Sequence, residues 1–221
     1  MKIVQISDVH LGPVHSTNYL NKIVDKSNSL NPDIVVITGD LFDGSAQVSK
    51  ETISPLENLK SKLGVFFVTG NHETYIDESK ALSLINSENV TILRNEVKNI
   101  SKVQIIGADY PLNESEKNNS FLNSLPSLID KKKFSILLYH PPVGFEKSAD
   151  AGVNLQLSGH THNGQIFPFN LISRIFYKYE SGLYKFKDSY LYVSQGSGTW
   201  GPPMRFLSNT EITEINLMKK S

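Results

Sequence analysis

Five apolar, β-branched stretches of this chain each end at a small or polar residue and then deliver a carboxylate, an imidazole or a carboxamide. KIVQIS (2–7) leads to Asp8 and His10, DIVVIT (33–38) to Asp40, and GVFFVT (64–69) to Asn71 and His72. FSILLY (134–139) leads to His140, and NLQLS (154–158) leads to His160 and His162. Runs of Ile and Val with almost no polar alternation read as strands buried on both faces, so helices are expected to cover them. In open α/β sheets, ligand sites form beyond the carboxyl ends of the strands, which directs these polar groups toward one edge.

Between the strands, Leu20, Ile23, Val24 and Leu30 keep helical spacing from a Ser16 or Thr17 cap to Pro32. Leu56, Leu59 and Leu63 predict a second helix, and Ala81, Leu82 and Ile85 a third. The second half is richer in strand signals: VTILR (90–94), KVQIIGAD (102–109), LYKF (183–186), SYLYVS (189–194) and EITEINL (211–217). That asymmetry predicts an α/β fold in which a two-sheet β-sandwich is flanked by helices. No repeat and no Gly/Ser/Pro-rich linker interrupts the chain, so one domain over residues 1–221 is expected.

Composition narrows the functions. With 39% hydrophobic and 20% charged residues the chain is an ordinary globular sequence. Its 22 basic and 22 acidic residues cancel, which disfavours wrapping of long nucleic acid through phosphate contacts. The absence of cysteine excludes disulfides and thiolate metal sites. No run approaches the ~20 apolar residues of a membrane span, and no secretory signal is visible, so a cytoplasmic location is expected. The oligomeric state is not legible.

Taken singly, an Asp after a strand is a turn or helix cap, and a lone His is a satisfied core or surface residue. Together these groups would crowd carboxylates and imidazoles with no counter-charge, which is expensive to desolvate. A metal cluster removes that conflict. Asp8 and His10 stand at i and i+2, which in an extended segment aims both to one side, and the same holds for His160 and His162. Gly39, Gly70 and Gly159 let the backbone turn sharply just before the donors. A set of nitrogen and oxygen donors suits manganese, iron or zinc; Mg²⁺ alone fits less well, since it prefers oxygen ligands and retained waters.

In order along the chain, Asp8-Val9-His10, Gly39-Asp40, Gly70-Asn71-His72-Glu73, His140 and Gly159-His160-Thr161-His162 form the series D-x-H, G-D, G-N-H-E, H, G-H-x-H. The series resembles the calcineurin-like metallophosphoesterases, dinuclear metal hydrolases with a four-layer α-β-β-α fold. GDLFDG (39–44), SGHTHNGQ (158–165) and YVSQGSGTWGPPMRF (192–206) resemble their bacterial and archaeal phosphodiesterase branch, which often carries an N-terminal membrane anchor. Two departures stand out: Asn163 replaces the glycine that the branch usually carries there, and no anchor is visible.

The resemblance implies one metal held by Asp8, His10, Asp40 and His162, and a second held by Asp40, Asn71, His140 and His160, with Asp40 bridging. Manganese is favoured, with iron or zinc as alternatives. Two metals ~3.5–4 Å apart acidify a bridging water and clamp phosphoryl oxygens, so the expected reaction is in-line attack of hydroxide on a phosphodiester or pyrophosphate, lipid-linked or nucleotide. Asn71 is expected to help hold the charge on the phosphoryl oxygens, and His72 to protonate the leaving group or, failing that, to brace a ligand. A phosphomonoesterase, including the protein phosphatases of this fold, is the alternative enzyme. From another class comes a non-catalytic scaffold, like the trafficking subunit of this fold that has lost its catalytic histidines; this chain keeps them.

Other signals are weaker. Arg205, in a Gly/Pro-shaped loop, reads as a contact to phosphate or carboxylate, or equally as a surface salt bridge. Asp43 and Glu73 read as caps or orienters of ligands, His15 as a solvated loop residue, and Lys131–Lys133 as a solvated turn. The apolar stretch 166–177 reads as core, or as a lip beside the metals that contacts acyl chains or a membrane surface peripherally.

Overall fold

The computed structural model describes residues 1–44, 49–85, 89–111 and 120–218. The predicted apolar runs form strands β1 (Lys2–Ile6), β2 (Ile34–Thr38), β3 (Val65–Val68) and β4 (Val90–Ile92). They continue with β5 (Glu96–Ile100), β6 (Val103–Ala108), β7 (Phe134–Tyr139) and β8 (Leu155–Ser158). The last three are β9 (Gly182–Phe186), β10 (Ser189–Val193) and β11 (Thr213–Asn216). One sheet runs β11-β1-β2-β3-β4, and the other β5-β6-β7-β8-β10-β9. Strands β1 to β4 are mutually parallel, as are β6, β7, β8 and β10; β11, β5 and β9 join antiparallel at edges.

The two sheets pack face to face. Ile34 and Val36 of β2 and Phe66 and Val68 of β3 meet Ile105, Ile136, Leu138 and Leu157 of the other sheet in one buried cluster. Alternate residues of the same strands, Val35, Ile37 and Phe67, pack outward on α1 (Thr17–Ser29) and neighbouring helical turns. Strands buried on both faces therefore read as unbroken apolar runs. The fold is the predicted two-sheet sandwich flanked by helices. Among the described residues no helix is long and apolar enough to cross a membrane.

The remaining helices are α2 (Lys50–Ile53), α3 (Asn71–Tyr75), α4 (Glu78–Ile85), α5 (Ser120–Leu128), α6 (Phe145–Ala151) and α7 (Phe169–Phe176). The helix expected through Leu56, Leu59 and Leu63 is different: a 3₁₀ turn spans Ser54–Asn58, Leu59 is extended, and Leu63 is exposed. Pro55 at its start cannot continue an α-helical hydrogen-bond ladder from the preceding turn. Strand β5, with its mostly exposed sequence EVKNI, gave no apolar run to read. Replacing Leu138, fully buried between the sheets, with alanine is expected to cost about 2–5 kcal/mol, measured as a lower denaturant midpoint. A loss within ~0.5 kcal/mol, the range for surface changes, would refute that role.

Candidate metal centre

Asp8 and His10 follow β1, Asp40 follows β2, and Asn71 and His72 open α3 just after β3. His140 follows β7, and His160 and His162 follow β8. The parallel register brings all of these ends to the same edge of the sandwich. Gln5 of β1 ties the sheets there by donating to Thr38 Oγ1 and to the Ser158 carbonyl, both at 2.9 Å. His140 Nδ1 adds a second tie across the sandwich, 2.7 Å from the Thr38 carbonyl.

The donors reach the cavity through left-handed backbone, not the extended backbone expected for Asp8, His10, His160 and His162. Their φ angles are 53°, 52°, 76° and 51°, and Asp40 has 51°. Side-chain alternation does not hold there, so His160 turns toward His140 while His162 turns toward His10. The glycines act in two ways. Gly39 takes φ +85°, whereas a Cβ on Gly70 would lie 2.2 Å from Asp40 Oδ1 and one on Gly159 2.2 Å from Asp8 Oδ2. These two keep room for the carboxylates.

His10 Nε2 lies 2.9 Å from His162 Nε2, His140 Nε2 3.1 Å from Asp40 Oδ2, and His160 Nδ1 3.2 Å from His140 Nε2. Three sets of donors able to hold an ion lie with their atoms within 4.8 Å of one another: Asp8–His10–His162, His10–Asp40–His72 and Asp40–His140–His160. Asp40 and His10 are each shared by two sets, so the donors form one continuous cluster. Asn71 Oδ1 is buried without a hydrogen-bond partner among the described residues. An orphaned carbonyl oxygen beside imidazoles and carboxylates fits a divalent cation, which accepts such oxygen and nitrogen donors.

Electrostatics agrees. Burial pushes His10 and His160 down to about 3 and His162 well below its usual value, so these imidazoles are neutral, as ligation requires. Burial raises the Asp8 carboxyl to about 6, against the pull of His140. It also penalises the charged forms of Asp40 and His140. Their mutual attraction prevails, holding Asp40 well below the usual carboxylate range and pushing His140 up to about 10.

Glu73 is an orienter, as expected. Its carboxylate accepts from the backbone N–H groups of Gly70 at 2.6 Å, Leu41 at 2.8 Å, Asp40 at 3.0 Å and Phe42 at 3.3 Å. The Asp43 carbonyl receives His72 Nδ1 at 2.5 Å, which turns Nε2 toward Asp40 and the cavity. Arg205 departs from both expectations. Its guanidinium donates to the carbonyls of Gln195 (2.6 Å), Gly198 (2.8 Å) and His162 (3.0 Å), and Nη2 lies 3.1 Å from His162 Nδ1. With Nη1 also on Ser208, it presents no free fork to a phosphate, and it makes no surface ion pair among the described residues. It braces the His162 loop.

His15 is likewise not solvated. It is buried, stacks on Tyr19 with ring centroids 4.2 Å apart, and accepts from the Thr199 N–H at 3.0 Å. Asn163 has φ 51°. Glycine and asparagine both tolerate that left-handed conformation, so the replacement is compatible with this backbone. Tyr177, which the sequence did not single out as a site residue, ends α7 with its hydroxyl 3.1 Å from His160 Nε2. Only its place in an apolar run marked it.

Comparison with known proteins bears on this geometry. A family model for calcineurin-like phosphoesterases matches residues 1–164. An uncharacterized metallophosphoesterase of Helicobacter pylori is 38% identical over 227 residues, which is 100% of this chain and 60% of the relative. A bovine transmembrane protein with a metallophosphoesterase domain is 38% identical over 240 residues, covering 98% of this chain and 53% of that protein. The chain thus spans little more than half the length of these relatives. A dimetal phosphatase from Danio rerio has the same fold, with a TM-score of 0.54 and 12% identity over 89% of this chain and 87% of that one. The chain belongs to the calcineurin-like phosphoesterase family, whose chemistry is phosphoester hydrolysis at a dinuclear metal centre.

Replacing Glu73 with alanine would strand four buried N–H groups, at about 1–3 kcal/mol for each left unsatisfied. Glu73→Ala is expected to lower both the melting temperature and metal occupancy, with Glu73→Gln recovering part of each. Unchanged occupancy in a folded Glu73→Ala protein would show that the Asp40 loop holds its shape without the carboxylate.

Proposed function

We propose that the chain is a metal-dependent hydrolase of phosphodiesters or pyrophosphates. Asp8, His10, Asp40 and His162 would hold one ion, and Asp40, Asn71, His140 and His160 the other, with Asp40 shared. Manganese is the favoured ion, and iron or zinc also suit the donors. When bound, such a pair acidifies a water and clamps phosphoryl oxygens for in-line displacement.

The residues lining the cavity support the diester reading. The cavity is about 310 Å³ and bordered by His10, Asp40, Asn71, His72, Tyr75 and Trp200 among others, with no lysine or arginine among the described residues. A phosphomonoester dianion gains more from cationic side chains beside the metals than a diester monoanion does, so their absence from this lining favours the diester. Arg205, which could have supplied that charge, is committed to main-chain carbonyls and His162. The Asn71 amide lines the same cavity and would hold an ion through Oδ1, or donate from Nδ2 to a phosphoryl oxygen. His72, oriented by the Asp43 carbonyl, points Nε2 at the cavity and in its protonated form would donate to the leaving oxygen.

Two measurements test this reading. Turnover of bis- and mono-nitrophenyl phosphate with Mn²⁺, Zn²⁺, Fe²⁺ or no added metal is expected to favour the diester and to need metal; clear preference for the monoester would make the chain a phosphomonoesterase. His72→Ala is expected to lower kcat about 10²–10⁴-fold at unchanged metal content. Full activity in that variant would remove the proton-donor role, and loss of metal would make His72 a ligand.

A further inference from the structure

Helix α7 is unlike the helices that pack on the sheets, because it has no buried residue. Phe169, Leu171, Ile172, Ile175 and Phe176 are all exposed, Ile175 at 79% and Phe176 at 77%. Leu171 with Ile175, and Ile172 with Phe176, are i, i+4 pairs, so the side chains form a continuous stripe. The loop alongside adds exposed Trp200, Met204, Phe206 and Leu207. The two segments are joined, since the Phe167 N–H donates to the Phe206 carbonyl and Phe206 N–H to the Gln165 carbonyl, both at 3.1 Å. Gln165 Nε2 also donates to the Trp200 carbonyl at 2.7 Å. A soluble monomer rarely leaves so many large apolar side chains together in water.

This apolar face borders the metal cavity. Tyr177, at the end of α7, and Trp200 both line the cavity mouth. The nearby cations are already matched: Arg174 Nε lies 2.8 Å from Glu180, and Lys178 pairs with Glu146. The face therefore offers hydrocarbon with few free polar groups. A specific protein interface carries about ten hydrogen bonds, which this surface is poorly supplied to make. Trp and Tyr at the boundary between an apolar patch and a polar cavity match the place these side chains take between hydrocarbon and headgroups.

We propose that the face formed by α7 and residues 200–207 docks on the surface of a lipid bilayer, with the cavity mouth turned toward the headgroups. This rests on the reading of the cavity as a phosphoester site only for its purpose; the docking itself is tested separately. Because the flanking charges are paired, attachment is driven by apolar burial and needs no anionic lipid.

The test is co-sedimentation of the full chain with phosphatidylcholine vesicles at low and raised ionic strength, compared with Ile175→Glu/Phe176→Glu and, on the other segment, Leu207→Glu. The unaltered chain is expected to pellet with vesicles at both ionic strengths. Each charged replacement is expected to weaken partitioning roughly tenfold or more, the value of one large buried side chain. Melting temperature and metal content of each variant control for folding, and if the double variant does not fold, Leu207→Glu decides. No pelleting of the unaltered chain, or equal pelleting of a folded variant, overturns the proposal. So does a dimer by size-exclusion that the substitutions dissociate without any vesicle effect, which would assign the face to a second copy. Turnover of the soluble diester by the unaltered chain reports separately on the proposed chemistry.

Discussion

Taking Asp8 and Asp40 out of water into one cavity costs free energy that hydrogen bonds return in part and nearby positive charge must complete. The chain supplies part of that charge itself, in the proton that Asp40 holds on His140 and in the Arg205 guanidinium behind His162. The other imidazoles, His10, His160 and His162, are neutral and bring lone pairs, not charge. Unprotonated nitrogens and the orphaned Asn71 Oδ1 remain around the carboxylates, offering lone pairs to the cavity. A pair of divalent ions would accept those lone pairs, and His140 would have to release its proton to join in holding them. The arrangement is consistent with the dinuclear chemistry of the family.

Much of the surrounding structure holds this charge pattern in place. Left-handed backbone at Asp8, His10, Asp40, His160 and His162 costs on the order of 1–3 kcal/mol per residue, and such strain persists only where neighbours over-determine it. Here the neighbours are identifiable. The Asp8 carboxylate accepts from the His160 N–H at 3.0 Å, Asp40 Oδ1 accepts from His72 N–H at 2.9 Å, and Glu73 collects the amides of the Asp40 loop. Arg205 does the same for the carbonyls around His162. The sandwich beneath is the rigid part, with Gln5 and His140 bonding across it where the donors emerge.

The sequence carried the strands and the donors because both follow simple rules. Parallel strands buried on two faces must be apolar throughout, and polar groups just past their ends must share an edge. The gathering of Asp8, Asp40, His140, His160 and His162 was therefore legible before any coordinates. How each donor turns was not, because Asp and His do not encode positive φ as glycine does. The expected i, i+2 alignment failed for that reason at His160 and His162. Leu56, Leu59 and Leu63 mimicked helical spacing across a 3₁₀ turn. Arg205 and His15 were misread because main-chain carbonyls and a stacked tyrosine leave no mark in local sequence. The run 166–177 was ambiguous between core and surface, since apolar composition alone does not say whether a helix finds a sheet to cover it; this one does not.

Tyr177 occupies two places at once. Its backbone closes the last turn of α7 through a hydrogen bond to the Ser173 carbonyl, and its phenol oxygen meets the imidazole of His160. The aromatic ring spans the gap, so one side chain joins the outer, sheet-free helix to an imidazole of the buried cluster. Periphery and interior are thereby one hydrogen bond apart at that nitrogen.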